Sequence, residues 1–286
     1  MKKLLILSGK GGTGKTTVAA AFTRFSQARA VADCDVDAPN LHLVLPADVE
    51  PERTAFTGSD KASVNPAACT GCGRCVQHCR FGAIWSGDGV CRVDEYACEG
   101  CGVCVHVCPA AAVTMAEDTA GERFLYRGDR VFSTARLKMG RGNSGKLVSE
   151  VKLAMLKAAP EAELAVIDGS PGIGCPVIAS VSGVDLALLV AEPSLSGLSD
   201  LKRLLKTLRT FRTQAAVCVN KWDVSPEQTA RIERFCAEQD IPFAGKIPYD
   251  KAASAAINCG ESLADVDCPA RDALRGIFTQ TIRLLG

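Results

Sequence analysis

The chain has 286 residues, enough for one large domain or two smaller ones. Apolar residues make up 47% of it and charged residues 23%, as in an ordinary globular protein. The net charge of +1 offers no electrostatic reason to expect a nucleic-acid or membrane partner.

Cysteine is unusually frequent, with 15 residues. Such a number indicates either a secreted disulfide framework or intracellular metal ligation. The first apolar run ends at Leu7 in a glycine-rich loop, which makes it too short for the apolar core of a signal peptide. No apolar stretch approaches the ~18 residues of a membrane span. We therefore expect a cytoplasmic protein with reduced thiols.

Predicted strands and helices alternate on both sides of a cysteine-rich segment. In chain order we expect a strand at 3–7, a helix at 15–27 and a strand at 29–33, then strands at 164–168, 185–190, 215–219 and 243–247 and helices at 147–158, 197–211, 226–238 and 270–284. This order predicts an α/β fold with a mostly parallel sheet and helices on both faces. Residues 1–58 and 117–286 would form one discontinuous domain, interrupted by a small module at 59–116.

A phosphate-binding loop follows the first predicted strand. Residues 9–16 fit the pattern G-x-x-x-x-G-K-[ST] between a strand and a helix. Glycines let backbone N–H groups close around phosphate oxygens, and the helix N-terminus adds partial positive charge. We expect Lys15 to reach the β- and γ-phosphates and Thr16 to bind Mg²⁺. The predicted nucleotide contacts of this loop are Gly9, Gly11, Gly12, Thr13, Gly14, Lys15, Thr16 and Thr17.

The lysine directly after the first glycine, Lys10, makes this loop resemble the deviant Walker A loop of the MinD/ParA/Mrp family of P-loop ATPases. The resemblance implies ATP or ADP as ligand and a nucleotide-dependent dimer, of identical subunits or with a related paralogue. It also implies that Lys10 reaches the nucleotide of the other subunit. Lys10 would then act like an arginine finger, a role worth ~10³–10⁵ in rate.

Further motifs follow in the order of that family. By position, Asp35 matches the carboxylate that orients the attacking water, with Asp33 and Asp37 as weaker candidates. Asp168 ends an apolar strand in the manner of a Walker B motif, and it should hold Mg²⁺, through water. The resemblance also implies two residues beside the base, Asn220 and Pro248.

The cysteine pattern C-x₂-C-x₂-C-x₃-C occurs twice, the second time followed by proline. It is the pattern of bacterial ferredoxins with two [4Fe–4S] clusters, in which the fourth cysteine of each run binds the other cluster. One cluster is assigned to Cys69, Cys72, Cys75 and Cys108, and the other to Cys98, Cys101, Cys104 and Cys79. Zinc also suits four cysteines, but zinc ribbons use paired C-x-x-C motifs.

Three further expectations concern segments around these motifs. Cys91, between the two runs, is expected to be a packing residue. Cys175 lies where the nitrogenase iron protein has a cluster ligand, but it has no partner cysteine after Cys108, so we expect a buried cysteine at a helix start. The basic, glycine-rich stretch 130–149 is expected to be a loop.

Three functions fit these motifs. The first is an ATP-gated electron carrier, in which nucleotide state alters electron transfer through two clusters to an unidentified redox partner protein. The second is an iron–sulfur assembly or carrier ATPase of the Mrp type, although all eight module cysteines are committed to clusters. The third is a redox-sensing positioning or partitioning ATPase of the MinD/ParA type. No nucleic-acid or membrane partner is expected.

Overall fold

Strands and helices alternate along most of the chain in the computed structural model, which describes residues 1–286. The strands are β1 (Lys2–Leu7), β2 (Ala30–Asp33), β3 (Glu52–Thr57), β4 (Lys61–Val64), β5 (Ile84–Gly87), β6 (Val90–Val93), β7 (Val113–Ala116), β8 (Thr119–Arg127), β9 (Val131–Leu137), β10 (Leu164–Asp168), β11 (Leu186–Ala191), β12 (Gln214–Asn220) and β13 (Phe243–Ile247). The helices are α1 (Lys15–Ser26), α2 (Leu41–Val44), α3 (Arg74–His78), α4 (Val103–His106), α5 (Ser144–Ala158), α6 (Cys175–Val181), α7 (Leu195–Thr210), α8 (Pro226–Glu238), α9 (Lys251–Asn258) and α10 (Pro269–Leu285). No helix is both long and apolar enough to cross a membrane.

The chain divides into two compact units. The first comprises Met1–Arg53, Arg123–Arg136 and Ser144–Gly286, and the second comprises Thr54–Glu122 and Leu137–Asn143. All eight cysteines of the repeated pattern belong to the second unit. The predicted boundaries at residues 59 and 116 fall inside that unit, and they remain a prediction.

The first unit is built on a largely parallel sheet. The strand order is β13-β12-β11-β1-β10-β2-β9-β8-β3, and every pair from β13 to β9 is parallel. Leu4 and Ile6 of β1 pack in one core with residues of α1 and α10. Their neighbours Leu5 and Leu7, which alternation directs to the opposite face, are also fully buried. Both faces of the central strands are therefore covered, as parallel sheets require.

One segment differs from its prediction. The stretch 130–149 was expected to be a loop, but it contains strand β9 and the first turns of α5. Val131 and Phe132 of β9 pair in parallel with β2, and Phe132 is buried. The basic residues and glycines that indicated a loop lie near the ends of β9, in the turn before α5 and in the first turn of α5.

A buried lysine terminates helix α6, which follows the strand end at Asp168. The ammonium group of Lys152, on α5, donates to the carbonyl oxygens of Ala179, Ser180 and Ser182 at 2.9, 2.7 and 2.7 Å. The last carbonyls of a helix have no partner within the helix, and a cation there also suits the helix dipole. Lys152 therefore fixes the end of α6.

The second unit is small. It contains two antiparallel strand pairs, β4 with β7 and β5 with β6. One buried cluster in it consists of Ala62, Cys75, Ala83, Ile84, Cys91, Cys98, Cys104 and Val113. Half of these residues are cysteines, so this cluster is made largely of thiols and methyl groups. Phe56 and Leu137 are also buried in the unit.

Candidate functional site

A cleft of about 700 Å³ lies in the first unit, lined by residues that follow the carboxyl ends of β1, β2, β10, β12 and β13. This is the edge at which parallel α/β sheets bind ligands, and the volume is in the range of small-molecule sites. The cleft brings together most of the predicted nucleotide residues: Gly11, Gly12, Gly14, Lys15, Thr16, Thr17, Asp35, Asn220 and Pro248. Gly9, Lys10, Thr13 and Asp168 do not line it.

Lys15 lies at the centre of a buried group of carboxylates. Its Nζ is 2.6 Å from Asp168 Oδ1 and 4.0 Å from Asp35 Oδ2. Burial acts to lower the pKa of Lys15, but the carboxylates, Asp168 foremost, outweigh burial and raise it. Lys15 is therefore charged, and it is held by Asp168 at the floor of the phosphate loop.

Asp33 has a different role from the one considered in the sequence. Its Oδ1 accepts the backbone N–H of Asp35 at 3.0 Å, and its Oδ2 accepts those of Asn40 and Leu41 at 3.1 Å each. The side chain is fully buried. Asp33 thus organises the loop that presents Asp35 to the cleft, and it does not itself line the cleft.

The buried position of Asp33 predicts a pH-dependent stability. Burial, with the charge of Asp168, raises the pKa of Asp33 from 3.8 to about 7, against the opposing effect of Lys15. Between these values the folded protein binds more protons than the unfolded chain. The free energy of unfolding should therefore fall as the pH rises through this window, by at most about 1.4 kcal/mol per pH unit for one proton.

This pH dependence can be measured in the nucleotide-free protein by urea unfolding between pH 5 and 8. The chain has two tryptophans, so a Trp85→Phe background leaves Trp222 to report on the first unit. The Asp33→Asn variant should show a flatter pH profile, whatever its absolute stability. An unchanged slope in that variant would mean that Asp33 is not the titrating group.

Asn220 braces the phosphate loop. Its amide donates to Thr13 O at 2.8 Å, and its Oδ1 accepts the backbone N–H of Lys221 at 2.9 Å. Gly14 has φ +91°, and a Cβ there would lie 2.4 Å from the Asn220 amide nitrogen. Only glycine suits this position, because it tolerates both the left-handed backbone and the close approach. The predicted contact of Asn220 with adenine remains a prediction.

Two acidic residues of the site were not found from the sequence. Asp223 Oδ1 accepts the backbone N–H of Tyr249 at 2.7 Å, which ties down the loop containing Pro248. Glu192 Oε2 lies 2.7 Å from Lys10 Nζ. Asp223 lies three residues after Asn220, so its position next to a predicted site residue could have indicated it. Glu192 is brought to Lys10 by the tertiary structure alone.

Two buried oxygens beside the phosphate loop have no hydrogen-bond partner. They are Asp168 Oδ2 and Thr13 Oγ1. Leaving a buried carboxylate oxygen without a donor is costly. The unpaired oxygen of Asp168 fits a cation bound beside the phosphate loop.

The cysteines of the second unit surround two cavities. One cavity is lined by Cys79, Cys98, Cys101 and Cys104, and the other by Cys69, Cys72, Cys75, Cys91 and Cys108. Each cavity therefore contains three cysteines of one run and the fourth cysteine of the other. All 15 cysteines of the chain are free thiols.

Backbone N–H groups point at several of these sulfurs. They donate to thiols at 3.3–3.5 Å, from Ala112 to Cys108, from Cys91 to Cys69 and from Ala62 to Cys98. Such bonds stabilise thiolates and tune clusters bound to them. Nowhere in the chain do three or more His, Cys, Asp or Glu side chains come together closely enough to hold a metal ion. The clusters therefore stay a prediction.

Cys175 was expected to be buried, but it is exposed at the start of α6. A Cβ on Gly145 would lie 3.3 Å from Cys175 Cβ. Helix α5 therefore comes close to Cys175 at Gly145, a residue without a side chain, and Cys175 remains exposed. Its exposure alone assigns it no function.

Comparison with protein families and individual relatives is informative at this point. Residues 4–263 match the CobQ/CobB/MinD/ParA nucleotide binding domain. An uncharacterized protein of Methanocaldococcus jannaschii is 35% identical over 224 residues, covering 77% of this chain and 78% of that protein. A cytosolic Fe-S cluster assembly factor Nubp1 homolog of Drosophila yakuba is 24% identical over 304 residues, covering 97% and 80% of the two chains.

Solved structures share the fold. The cell division ATPase MinD of Pyrococcus furiosus superposes with a TM-score of 0.60 at 18% identity and covers 99% of both chains. The septum site-determining protein MinD of Pyrococcus horikoshii, complexed with Mg-ADP, gives a TM-score of 0.60 at 18% identity, with 100% and 97% coverage. These similarities confirm the predicted α/β P-loop NTPase fold.

Proposed function

The chain belongs to the CobQ/CobB/MinD/ParA family of nucleotide-binding proteins, and from that membership we propose an ATPase that carries two [4Fe–4S] clusters. In this proposal the nucleotide state and dimerisation of the protein control electron transfer through the clusters. The observation that carries it is the pair of cavities in the second unit, each lined by four cysteines drawn from both runs. Residues 59–116 are proposed as the inserted ferredoxin module.

The two cavities suit clusters better than single ions. The four assigned thiols line each one, with Cys91 as a fifth in the cavity of Cys69, yet the side chains do not converge on a point where a single metal could bind. A cubane takes its four thiolates from around its corners, whereas zinc requires them within about 2.3 Å of one centre. When bound, such clusters accept and donate single electrons. The chain itself supplies the thiolates and the N–H groups that face them.

In the first unit, the phosphate loop would hold the triphosphate through its backbone N–H groups, and Lys15 would neutralise charge on the β- and γ-phosphates. Asp35, which lines the cleft, would orient the attacking water. Burial raises the pKa of Asp35.

Mg²⁺ would be held by Thr16 and Asp168. Thr16 lines the cleft, and Asp168 has one buried carboxylate oxygen without a partner. The Mg-ADP bound by the Pyrococcus horikoshii protein supports this assignment. The ion would neutralise the charge that develops on the phosphates during hydrolysis.

Lys10 completes the proposed catalytic group. It lies outside the cleft of its own chain, and its side chain is 42% exposed. A lysine in that position is available to a second subunit. We therefore propose a dimer in which each Lys10 reaches the nucleotide of the partner chain.

The proposal is tested by anaerobic redox titration with EPR detection, with and without MgATP, on the wild-type protein and on Lys15→Ala. We expect about eight irons per chain, and MgATP should change the electron affinity of a cluster about tenfold, or ~59 mV. Lys15→Ala should show no such shift. By reciprocity, reduction would then change ATP affinity by the same factor.

Two results would count against the proposal. About four irons per chain or fewer after anaerobic reconstitution would remove the two-cluster assignment. If the iron content is full but MgATP does not change the reduction potentials, nucleotide binding and the clusters are not coupled. The protein would then be an ATPase whose clusters do not respond to nucleotide.

Iron–sulfur assembly is a second candidate, and the similarity to the Nubp1 homolog over 97% of this chain favours it. The two functions differ in the fate of the iron. An assembly factor should transfer labelled iron to an apo-ferredoxin acceptor in an ATP-dependent way. An electron carrier should keep its iron during the same incubation.

A further inference from the structure

The two halves of the cysteine module are related by a shift of 29 residues. Each cysteine of the first run has its counterpart 29 positions later, so that Cys69 corresponds to Cys98 and Cys75 to Cys104. The same shift relates strand β4 to strand β6, and it places Ala62 and Cys91 at equivalent positions.

Backbone geometry supports this equivalence. The N–H of Ala62 donates to Cys98 Sγ at 3.5 Å, and the N–H of Cys91 donates to Cys69 Sγ at 3.4 Å. Each residue therefore presents the same backbone donor to the first cysteine of a run. The two positions differ in their side chains, a methyl group at one and a thiol at the other.

Cys91 lines the cavity of the first cluster site. It is 3% exposed and shares that cavity with Cys69, Cys72, Cys75 and Cys108. The corresponding Ala62 lines the other cavity, where its methyl group has nothing to donate. Cys91 was expected to be a packing residue, and it is buried in the core of the second unit. It also brings a fifth thiol into its cavity, whereas the other cavity has four.

We propose that Cys91 tunes the first cluster by donating its S–H to a thiolate of its own cavity, so that the two clusters have different reduction potentials. This inference rests on the proposed function. A cluster gains negative charge on reduction, and hydrogen bonds to its sulfurs favour the reduced state. The first cluster should therefore have the higher potential of the two, because only its site has the additional donor.

A difference of this kind gives the electron a direction. An electron that enters at the second cluster, bound by Cys98, Cys101, Cys104 and Cys79, would move to the first cluster with a favourable free energy. Two clusters of equal potential would share it. The thiol of Cys91 therefore sets the direction of electron transfer between the clusters, and it is not a fifth ligand.

Three variants test the proposal: Cys91→Ala, Cys91→Ser and Ala62→Cys. Each is reconstituted anaerobically, assayed for iron and titrated with EPR detection without nucleotide. We expect Cys91→Ala to lower the electron affinity of the higher-potential cluster about tenfold, or ~59 mV, and to bring the two potentials together. Cys91→Ser retains a donor and should retain most of the separation. Ala62→Cys should raise the lower potential.

The outcomes separate this inference from the function it rests on. Full iron content with the same two potentials in wild type and Cys91→Ala overturns the tuning role and leaves the two-cluster function standing. Loss of half the iron in both position-91 variants also overturns it, because Cys91 would then be a ligand. A wild-type protein that cannot bind about eight irons would remove the proposed function itself.

Discussion

Replacing Lys10 by alanine is expected to slow ATP hydrolysis by about 10³-fold or more while leaving nucleotide affinity nearly unchanged. The expected size of this rate loss follows from the role of a cation that one subunit contributes to stabilise the transition-state charge in the other. The unchanged affinity follows from geometry, because Lys10 does not line the cleft of its own chain. Lys15 does line it, so Lys15→Ala should lose nucleotide binding as well.

The companion variant Glu192→Gln tests whether the ion pair with Glu192 limits the access of Lys10 to a second subunit. Lys10 Nζ is 2.7 Å from Glu192 Oε2 in a partly exposed ion pair. Pairs of this kind are worth ~0.2–1 kcal/mol, so releasing Lys10 should raise hydrolysis by at most about fivefold, and only at low protein concentration where dimerisation limits the rate.

Phosphate release at saturating MgATP gives the rates, a fluorescent ATP analogue gives the affinities, and sedimentation gives the dimer. If Lys10→Ala hydrolyses ATP at the wild-type rate, the loop lysine is not a catalytic group. If Lys10→Ala fails to bind nucleotide, it acts within its own chain.

The parallel core of the first unit could be predicted because its segments are unambiguous. Strands 164–168 and 243–247 and helix 226–238 have the predicted bounds. The strand 164–168 is an apolar run that leads to a carboxylate at its carboxyl end. Such runs are buried on both faces, so local composition and tertiary environment favour the same structure.

The strand β9 could not be predicted in this way. Arg130 and Arg136 flank or interrupt it, and glycines follow it, so its local composition resembles that of a loop. Its pairing with β2 supplies the stabilisation that its own sequence does not indicate. Tertiary structure here overrides local preference.

In the candidate site, too, residues marked by local spacing could be predicted, whereas contacts between distant residues could not. The spacing of the phosphate loop and of the cysteines is enough to predict which residues bind there, because backbone geometry near a ligand imposes spacing. The ion pair of Lys10 with Glu192 and the three carbonyls bound by Lys152 join residues far apart in sequence. No local pattern marks such contacts, and only the fold brings them together.

Removing the iron is expected to unfold the second unit and to leave the first unit folded. A fully buried Ile or Val contributes about 1.5–3 kcal/mol, and only Ile84 and Val113 among the eight residues of its buried cluster are of that size. The rest are cysteines and alanines. A cluster of such small residues offsets little of the entropy of ordering the unit, so the proposed iron–sulfur clusters would have to supply much of its folding free energy.

Hydrogen exchange with mass spectrometry, on the anaerobic holoprotein and after chelation, measures this by segment. Peptides of β4 to β7 should lose protection, whereas peptides of β11 and β12 should keep it. Cys72→Ala and Cys259→Ala form a matched pair, because both cysteines are exposed and only Cys72 lines a cavity. Only Cys72→Ala should increase hydrogen exchange in the second unit.

Slow exchange and a dispersed NMR spectrum in the cluster-free module would contradict this expectation. The thiols would then pack as ordinary small apolar side chains, and the repeated spacing would serve the backbone alone. Selective loss of protection would instead show that the cysteines are arranged around something that the chain does not itself provide. Since each cavity combines cysteines of both runs, losing either cluster should then disturb both halves of the module together.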